Sequence, residues 1–244
     1  MRNILIKIAY KGTNYCGFQV QKNKVTVAEK IQDAIEAVFY ERYDIKGCSR
    51  TDSGVHANDF AISFKCEGRI PCDKIVSALN VHLPSDIVVK SAEEVSLDFH
   101  ARYNSKGKRY VYIIHNSLIR DPFLENLCLE YKYKLNEKIM NEAAAHFVGT
   151  HDFSAFCSAG SSIKDFNRTI YEAKVERDGD IVKFTVSGDG FLYNMVRIMM
   201  GTLLYVSMGK ILPDEIDNII KSKNRALAGK TAEAQGLYLD KVFY

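Results

Sequence analysis

Hydrophobic and polar residues alternate at the start of the chain as they do in a half-buried β-strand. The strand covers residues 3–10, and its isoleucines share one face: Ile4, Ile6 and Ile8. A helix follows, because Thr26 and Glu29 form a capping box and apolar residues then recur at helical spacing to about residue 42. The apolar stripe of this helix consists of Ile31, Ile35, Val38 and Phe39.

Four further elements complete the first half of the chain. A short strand over residues 45–49 and a polar loop precede a third segment whose alternate residues are apolar: Phe60, Ile62, Phe64 and Cys66. Pro71 opens a second helix, and a strand near residues 86–95 follows. The apolar residues of this helix are Ile75, Val76 and Leu79. The order β-α-β-β-α-β is that of the split βαβ arrangement.

The second half repeats this order. Its predicted elements are a strand at 108–115, a helix at 136–148, hairpin strands at 169–177 and 180–187, a helix at 190–208 and a strand at 237–243. The hairpin turns at Asp178-Gly179, and an extra helix begins at Pro213. The chain therefore predicts an α+β fold of two ferredoxin-like halves with mainly antiparallel sheets and helices on the outer faces. We place the halves at 1–104 and 105–244 and expect their sheets to meet over a central cleft.

One apolar run is long enough to raise the question of a membrane span. It covers residues 191–208 but includes Asn194 and Arg197, and a charge in the middle of a span costs at least about 2.5 kcal/mol. The run is therefore predicted to be a buried core helix. A buried arginine needs a carboxylate partner, which could be any acid of the fold.

The amino-acid composition narrows the possible classes of protein only slightly. A chain of 244 residues that is 47% hydrophobic can bury a core without disulfides. The cysteines form no CxxC pair and the N-terminus does not read as a signal peptide, so we expect reduced thiols in a cytoplasmic protein. A net charge of +3 does not by itself indicate a nucleic-acid partner, because binding depends on where the cations lie.

Two stretches concentrate positive charge without an acidic residue. Residues 102–109 carry Arg102, Lys106, Lys108 and Arg109. Residues 221–230 carry Lys221, Lys223, Arg225 and Lys230. Each stretch is compatible with a solvated loop, and phosphate contact is the alternative.

The loop between the second and third strands holds the side chains best suited to chemistry. It reads RTDSGVHA over residues 50–57. Taken alone, the Thr-Asp-Ser-Gly sequence at 51–54 is an ordinary turn, in which Asp bonds its own backbone and Gly supplies a positive φ. If Arg197 is the partner of Asp52, its cation lowers the pKa of that carboxyl and keeps it ionised, as a nucleophilic aspartate requires.

A second candidate lies on the strand at 107–114. Tyr110, Tyr112 and Ile114 share one face of this strand, which follows a basic stretch. Aromatic residues beside cations suit base stacking and phosphate contact. Core packing is the alternative for either tyrosine.

Six short sequence segments, some of which contain these candidates, follow one another over essentially the whole chain. They are GFQ (17–19), RTDSGVHA (50–57), FHARYNSKGKRYVY (99–112), HDFSAFC (151–157), FLYNMVRIMMGT (191–202) and AQGLYL (234–239). Together they closely resemble tRNA pseudouridine synthase A, the family that modifies the anticodon arm. Six segments at family-like spacing make the match specific, whereas any one of them is only suggestive.

The resemblance implies the pseudouridine synthase fold and an isomerase that converts uridine to pseudouridine in the anticodon stem-loop, at expected positions 38, 39 and 40. Asp52 matches the catalytic nucleophile, which attacks either C6 of uracil or C1′ of its ribose, and both routes stay open. Tyr110 matches the tyrosine that stacks on the uracil and is a candidate general base for the proton at C5. Arg197 matches the arginine that pairs with the nucleophile.

The same resemblance assigns residues to substrate binding. Arg50 matches an arginine associated with extruding the target base, a step that costs a few kcal/mol. Leu237 matches an apolar residue that flanks the base. We add Lys108 from the basic stretch and His56, which we expect to support the loop.

The chemistry and the resemblance also define the expected partners. Pseudouridine formation involves no net redox change and no group donor, so we expect no small-molecule cofactor. The histidines lack metal-ligand spacing, and no metal is expected. The expected partner is tRNA, the family implies a homodimer, and no membrane contact is expected.

One departure from the family pattern and three alternatives stay open. Asp59 adds a negative charge close to Asp52, so we predict that its side chain points outward.

The runner-up function is the same chemistry on a different RNA. The others are a non-catalytic RNA-binding module and a phosphatase-like hydrolase with an aspartyl intermediate, which lacks a second nearby carboxylate for Mg²⁺.

Overall fold

The computed structural model describes residues 1–160 and 163–244, which form two compact units. The first unit consists of Met1–Lys106 together with Tyr238–Tyr244, and the second consists of Gly107–Leu237. Each unit combines helices with mainly antiparallel strands. The predicted α+β fold class is therefore confirmed.

The strands and helices are numbered in chain order. The strands are β1 (Arg2–Tyr10), β2 (Ile45–Gly47), β3 (His56–Cys66), β4 (Ile87–Val95), β5 (Gly107–His115), β6 (Leu129–Glu130), β7 (Gly149–Asp152), β8 (Asn167–Asp178), β9 (Ile181–Gly188) and β10 (Leu237–Phe243). The helices are α1 (Val27–Phe39), α2 (Cys72–His82), α3 (Glu137–Ala145), α4 (Met195–Ser207) and α5 (Glu215–Ser222). The order β1-α1-β2-β3-α2-β4 is the one predicted for the first half.

In the sheet of the first unit, the apolar faces of β1 and β3 lie on the same side. β1 lies between β3 and β4 and is antiparallel to both, and β2 pairs antiparallel with β3. The register sets Ile4 opposite Phe64, Ile6 opposite Ile62 and Ile8 opposite Phe60. Each of these side chains is 1% exposed or less. Since alternate residues of a strand face opposite sides, this single face forms the sheet's contribution to the core.

Helix α1 begins where its capping box places it. The Thr26 hydroxyl accepts a hydrogen bond from the Glu29 N–H at 3.4 Å. Ile31 and Ile35 of its apolar stripe are fully buried. The helix ends at Phe39, a little earlier than predicted, because Tyr40 takes the left-handed conformation with φ of 59°.

The second unit has the strand order β5-β9-β8-β7, antiparallel throughout, and β6 pairs with β5 in parallel. β6 and β7 were not predicted, because strands of 2 and 4 residues are too short to show a period. The β8–β9 turn also differs. Asp178 pairs with Ile181, so the turn residues are Gly179 and Asp180, one position later than predicted.

The apolar run at 191–208 is a buried core helix, as predicted. α4 is 13 residues long, and from Met195 to Leu204 every residue except Arg197 is buried. It begins later than predicted, because Asn194 has a φ of 61° and a left-handed residue cannot continue a right-handed helix. Among the residues that the structure describes, no helix is both long and apolar enough to cross a bilayer.

The C-terminal strand belongs to a different unit from the one expected. Sequence analysis placed residues 237–243 in the second half, whereas Tyr238–Tyr244 lies in the first unit. Tyr238 pairs in parallel with His56 on β3. Such a pairing depends on backbone hydrogen bonds between residues far apart in the chain, so it leaves no local pattern in the sequence.

Helix α3 offers a test of capping. The side-chain oxygen of Asn136, an exposed residue, accepts hydrogen bonds from the N–H groups of Lys138 and Ile139 at 3.2 and 3.4 Å. Asn136→Ala should lower the free energy of unfolding by about 1 kcal/mol in urea titrations, because those donors lose their acceptor. Asn136→Asp keeps the acceptor and should leave stability near that of the parent. Equal losses in both variants would contradict the capping role.

Candidate active site

Asp52 lies in the loop that joins β2 to β3, called here the Asp52 loop (residues 48–55). The Asp52 carbonyl accepts a hydrogen bond from the Val55 N–H at 3.2 Å, and Gly54 has a φ of +80°. The turn predicted from the sequence is therefore confirmed. Asp52 is half-buried, so part of the residue is open to solvent.

A second stretch, the holding segment (residues 10–18), fixes the loop on the N-terminal side of Asp52. The hydroxyls of Tyr10 and Thr51 share a hydrogen bond of 2.7 Å. The Phe18 N–H donates to the Thr51 carbonyl at 3.1 Å. Thr51 is only 8% exposed, so the residue before Asp52 is held in the interior through both its side chain and its backbone.

The residues that follow Asp52 are held by Tyr15. Its carbonyl accepts hydrogen bonds from the Ser53 hydroxyl at 3.1 Å and from the Gly54 N–H at 3.4 Å. Asp52 is therefore bracketed by neighbours that are bonded to the same segment. A functional side chain needs such support, since small displacements from its working geometry are costly.

Gly12 allows the holding segment to approach the base of the loop closely. A Cβ atom at Gly12 would lie 2.0 Å from the Val55 carbonyl oxygen. Non-bonded heavy atoms have their energy minimum near 3.5 to 4.0 Å, so any side chain here would push the two stretches apart. The Gly12 N–H also donates to His56 Nδ1 at 3.0 Å.

His56 is placed inside the first unit. It is 1% exposed, and its ring stacks on Tyr238 with the centroids 4.6 Å apart. Because Nδ1 accepts from the Gly12 N–H, the neutral ring carries its proton on Nε2. A ring this buried supports the base of the loop through its contacts, and direct RNA binding, our other expectation for it, is not favoured.

Arg50 differs from His56 in its exposure to solvent. It is exposed, and within residues 1–160 and 163–244 no hydrogen bond or ion pair holds its guanidinium. An arginine without a structural partner keeps all of its donors available for a planar or anionic ligand.

In the second unit, the candidate residues of β5 share one strand face. Every second residue of a regular strand lies on the same face, and the register of β5 with β9 is unbroken. Lys108 and Tyr110 therefore lie on the same face as Tyr112 and Ile114. Lys108 is half-buried, and Tyr110 is 7% exposed. The Tyr110 ring contacts Phe191 edge to face, with centroids 5.1 Å apart. This contact fixes the ring plane of Tyr110.

Tyr112 is a structural residue rather than a candidate for stacking. It is fully buried, and its hydroxyl donates to the Glu233 carbonyl at 2.7 Å. Burial raises the pKa of Tyr112 above its ordinary value, so the hydroxyl stays protonated. A Cβ atom on Gly236 would lie 2.5 Å from the Tyr112 ring, so this ring sets the path of the chain just before Leu237. Leu237 itself is 6% exposed.

Arg197 is half-buried, not fully buried as the sequence suggested. Its position near the start of α4 leaves the side chain partly outside the core. The Nε atom donates to the Ala232 carbonyl at 2.8 Å, and an Nη atom donates to Asn194 Oδ1 at 2.9 Å. The guanidinium is therefore oriented within the second unit. Its pairing with Asp52 stays a prediction.

The cations of the basic stretch at 221–230 differ in the contacts that they make. Lys223 pairs with Asp152 at 2.9 Å, and Arg225 donates to the Ala228 carbonyl and to the Thr231 hydroxyl. Burial lowers the pKa of Arg225. Lys221 and Lys230 are exposed.

The prediction that Asp59 points outward, away from the cleft, stays a prediction, but the side chain does have a partner. Its side chain is 17% exposed and pairs with Lys7 on β1 at 3.3 Å. β1 and β3 are adjacent strands, and both residues lie on the face opposite the isoleucine core. The sequence could not show this, because a cation 52 positions earlier in the chain neutralises the charge.

Sequence reasoning singled out Asp52 as a candidate but did not single out the residues that hold its loop. Gly12 and Tyr15 belong to the polar stretch between β1 and α1, which carries neither a helical nor a strand period. The two glycines of that stretch were the available signal. Gly17 has a φ of +85°, and a Cβ atom there would lie 2.7 Å from the Thr51 carbonyl oxygen.

The chain is similar in sequence to known proteins over its whole length. A family model described as tRNA pseudouridine synthase matches residues 6–104 and 143–244. A protein of Acetivibrio thermocellus named tRNA pseudouridine synthase A is 51% identical over 244 residues, with 100% of both chains covered. Proteins of the same name from Thermoanaerobacter sp. and Clostridium acetobutylicum are 50% and 49% identical, again with 100% of both chains covered.

The close approach at Gly12 can be tested directly. Gly12→Ala should speed amide hydrogen exchange in residues 50–56, because the added Cβ displaces the loop from the holding segment. Gly179→Ala is the matched control, since a Cβ there meets no atom within 4 Å and strains only its own turn at φ +57°. The control should leave exchange in the loop unchanged. Unaltered loop exchange in Gly12→Ala would contradict the close packing.

Proposed function

The chain belongs to the tRNA pseudouridine synthase family, and from that premise we propose that it isomerises uridines at positions 38, 39 and 40 of the tRNA anticodon stem-loop. The coarser statement, that the chain is a tRNA-modifying isomerase, follows from the family itself. The finer proposal rests on the match between the Asp52 loop and the family's catalytic segment. The observation that supports Asp52 as its nucleophile is the bonding of both neighbours of Asp52 to one segment.

Asp52 supplies the nucleophile in this proposal. Its carboxylate attacks C6 of the uracil or C1′ of the ribose, and the glycosidic bond between N1 and C1′ breaks. The base rotates and rejoins through C5, and the bond between Asp52 and the substrate breaks, so the carboxylate is regenerated. The proton lost from C5 balances the one gained at N1, so the reaction consumes no oxidant and no group donor. A carboxylate that is half-buried on a braced loop is suited to this step, because an anchored nucleophile loses little further freedom on reaching the transition state.

Arg50 extrudes the target base. A stacked uridine has to leave the helical stem before any side chain can reach C6 or C1′, and extrusion costs a few kcal/mol. The Arg50 guanidinium is exposed and is held by no other group in the described part of the chain. It can therefore occupy the space that the base vacates or contact the neighbouring phosphates.

Tyr110 stacks on the uracil and is the candidate general base for the proton at C5. The edge-to-face contact with Phe191 supports this role, because it holds the ring at a set orientation. Lys108 lies two residues away on the same strand face, where it contacts a phosphate of the substrate. Leu237 flanks the base.

Arg197 keeps the nucleophile ionised. Its hydrogen bonds to the Ala232 carbonyl and to Asn194 orient the guanidinium, and both of these acceptors are uncharged. A guanidinium beside a carboxylate lowers the pKa of that carboxyl. The action of Arg197 on Asp52 is a proposal from the family pattern.

A cytoplasmic homodimer is the proposed assembly. Three large apolar side chains between β5 and β6 face solvent: Leu118 (87% exposed), Ile119 (80%) and Phe123 (87%). Apolar residues this exposed within six positions indicate a surface that is covered in the working protein. We assign the cover to a second copy of the chain.

The proposed mechanism predicts the behaviour of Asp52→Asn. Because this change removes the nucleophile and keeps the shape of the side chain, it should abolish pseudouridine formation and leave tRNA binding within about threefold of the parent. The measurement is incubation with unmodified tRNA followed by mapping of new pseudouridines. Modification at uridines other than 38, 39 and 40 would favour the runner-up function, the same chemistry on other sites.

Asp59→Asn is the matched control for that experiment. It is the same chemical change in the same unit, at a carboxylate that pairs with Lys7. Its turnover should stay close to that of the parent. Activity of Asp52→Asn within about tenfold of the parent would exclude the nucleophilic role. A parent protein that binds tRNA and forms no pseudouridine would favour the RNA-binding module.

The dimer proposal predicts a change in sedimentation. Phe123→Lys should shift the protein from dimer to monomer, because it places a charge in the proposed apolar contact. Val81→Lys changes another exposed apolar residue, 79% exposed on α2, and should leave the sedimentation coefficient unchanged. A monomeric parent would contradict the proposal.

A further inference from the structure

We propose that Tyr15 and Asp86 form a positioning pair that sets the geometry of the Asp52 loop. The inference rests on the proposed function for its catalytic consequence. The contacts that carry it all lie within the first unit. Neither residue was a candidate in the sequence analysis.

The backbone carbonyl of Tyr15 connects the holding segment to the part of the loop that follows Asp52. Its carbonyl oxygen accepts from the Ser53 hydroxyl at 3.1 Å and from the Gly54 N–H at 3.4 Å. Ser53 and Gly54 are the two residues directly after Asp52. Any movement of the Tyr15 carbonyl is therefore transmitted to the residues that orient the proposed nucleophile.

The side chain of Tyr15 is anchored at its far end. The residue is 5% exposed, and its hydroxyl donates to Asp86 Oδ1. Burial, together with the Asp86 carboxylate, raises the pKa of Tyr15 above its ordinary value. The raised pKa keeps the hydroxyl protonated, so it can donate to Asp86.

Asp86 holds the rest of the same turn as well. The second oxygen of its carboxylate accepts from Asn14 Nδ2 at 3.0 Å. Its carbonyl accepts from the Lys11 N–H at 2.9 Å. One residue in the connection between α2 and β4 thus binds the start, the middle and the end of the turn at residues 11–15.

These bonds form a continuous path from Asp86 to the loop. The carboxylate fixes the Tyr15 ring, the ring fixes the Tyr15 backbone, and the backbone carbonyl fixes Ser53 and Gly54. Charge-assisted hydrogen bonds such as the one to Asp86 are stronger than neutral ones, which suits an anchor. Tyr15 and Asp86 touch no substrate in this scheme and act only through the loop.

Tyr15→Phe isolates the anchor, because it deletes the hydroxyl and keeps the ring. We expect kcat on unmodified tRNA to fall at least about tenfold with KM within about twofold, since the loop binds RNA but presents Asp52 at the wrong angle. Amide hydrogen exchange in residues 51–56 should become faster while exchange in the core strands β1 and β3 beyond residue 56 is unchanged. A variant that was merely less stable would show faster exchange throughout the first unit.

Tyr244→Phe is the matched control. Its hydroxyl, also in the first unit, donates to the Ala101 carbonyl at 2.6 Å and, among the residues described, forms no hydrogen bond to residues 50–55. This variant should keep its kcat and its loop exchange. A fall in kcat equal to that of Tyr15→Phe would overturn the proposal, because loss of any buried hydroxyl bond would then suffice.

Two further variants test the path itself. Asp86→Ala should lower kcat at least as much as Tyr15→Phe, and the double variant should be no slower than Asp86→Ala alone, because both changes cut the same path. Independent, multiplying losses would overturn the pair. If Tyr15→Phe does not fold, Ser53→Ala cuts the path at an exposed residue and should likewise lower kcat with little change in KM.

The outcomes separate this inference from the proposed function. An active parent with an equally active Tyr15→Phe variant overturns the positioning pair alone. A parent that leaves every tRNA unmodified overturns the proposed function, and the catalytic part of this inference with it. Faster loop exchange together with a lower kcat in Tyr15→Phe supports both.

Discussion

The bonding of the Asp52 loop to the holding segment is the constraint on which the proposed chemistry depends. A turn of the type Thr-Asp-Ser-Gly is common, and its backbone bond from Val55 to Asp52 does not by itself keep a side chain aimed in one direction. Here Thr51 on one side and Ser53 and Gly54 on the other are bonded to Tyr10, Phe18 and Tyr15. Placement of a reactive group before the substrate arrives is one of the largest contributions a protein makes to catalysis. The core of the first unit, formed by β1 and β3, carries both partners of this contact.

The second unit positions its residues by a different means. Tyr110 stands on a strand whose register with β9 is continuous, and Arg197 stands near the start of a helix that is otherwise buried. Both side chains are oriented by uncharged groups, a phenylalanine ring in one case and a carbonyl and an amide oxygen in the other. Both orientations are therefore set by contacts inside the second unit.

The distribution of charge is more informative than its sum. A net charge of +3 is small for a protein that acts on RNA. Several cations are taken up by structural contacts, such as Lys7 with Asp59 and Lys223 with Asp152. Arg50, Lys221 and Lys230 are exposed, so the cations that can meet phosphates are a subset that only the folded structure identifies.

Local patterns in the sequence determined the elements of the first unit, the capped start of α1, the turn at Asp52 and the buried character of α4. Each of these depends on residues within a few positions of one another, which is the range over which period, capping and turn chemistry act. Family-specific segments added the identity of the candidate residues. Tertiary structure decided the partner of Asp59, the unit to which the C-terminal strand belongs, the partial exposure of Arg197 and the grip of Tyr15 on the loop. Apart from the exposure of Arg197, which follows from the late start of α4, these features arise from contacts between residues far apart in the chain, and such contacts impose no period on the sequence that encodes them.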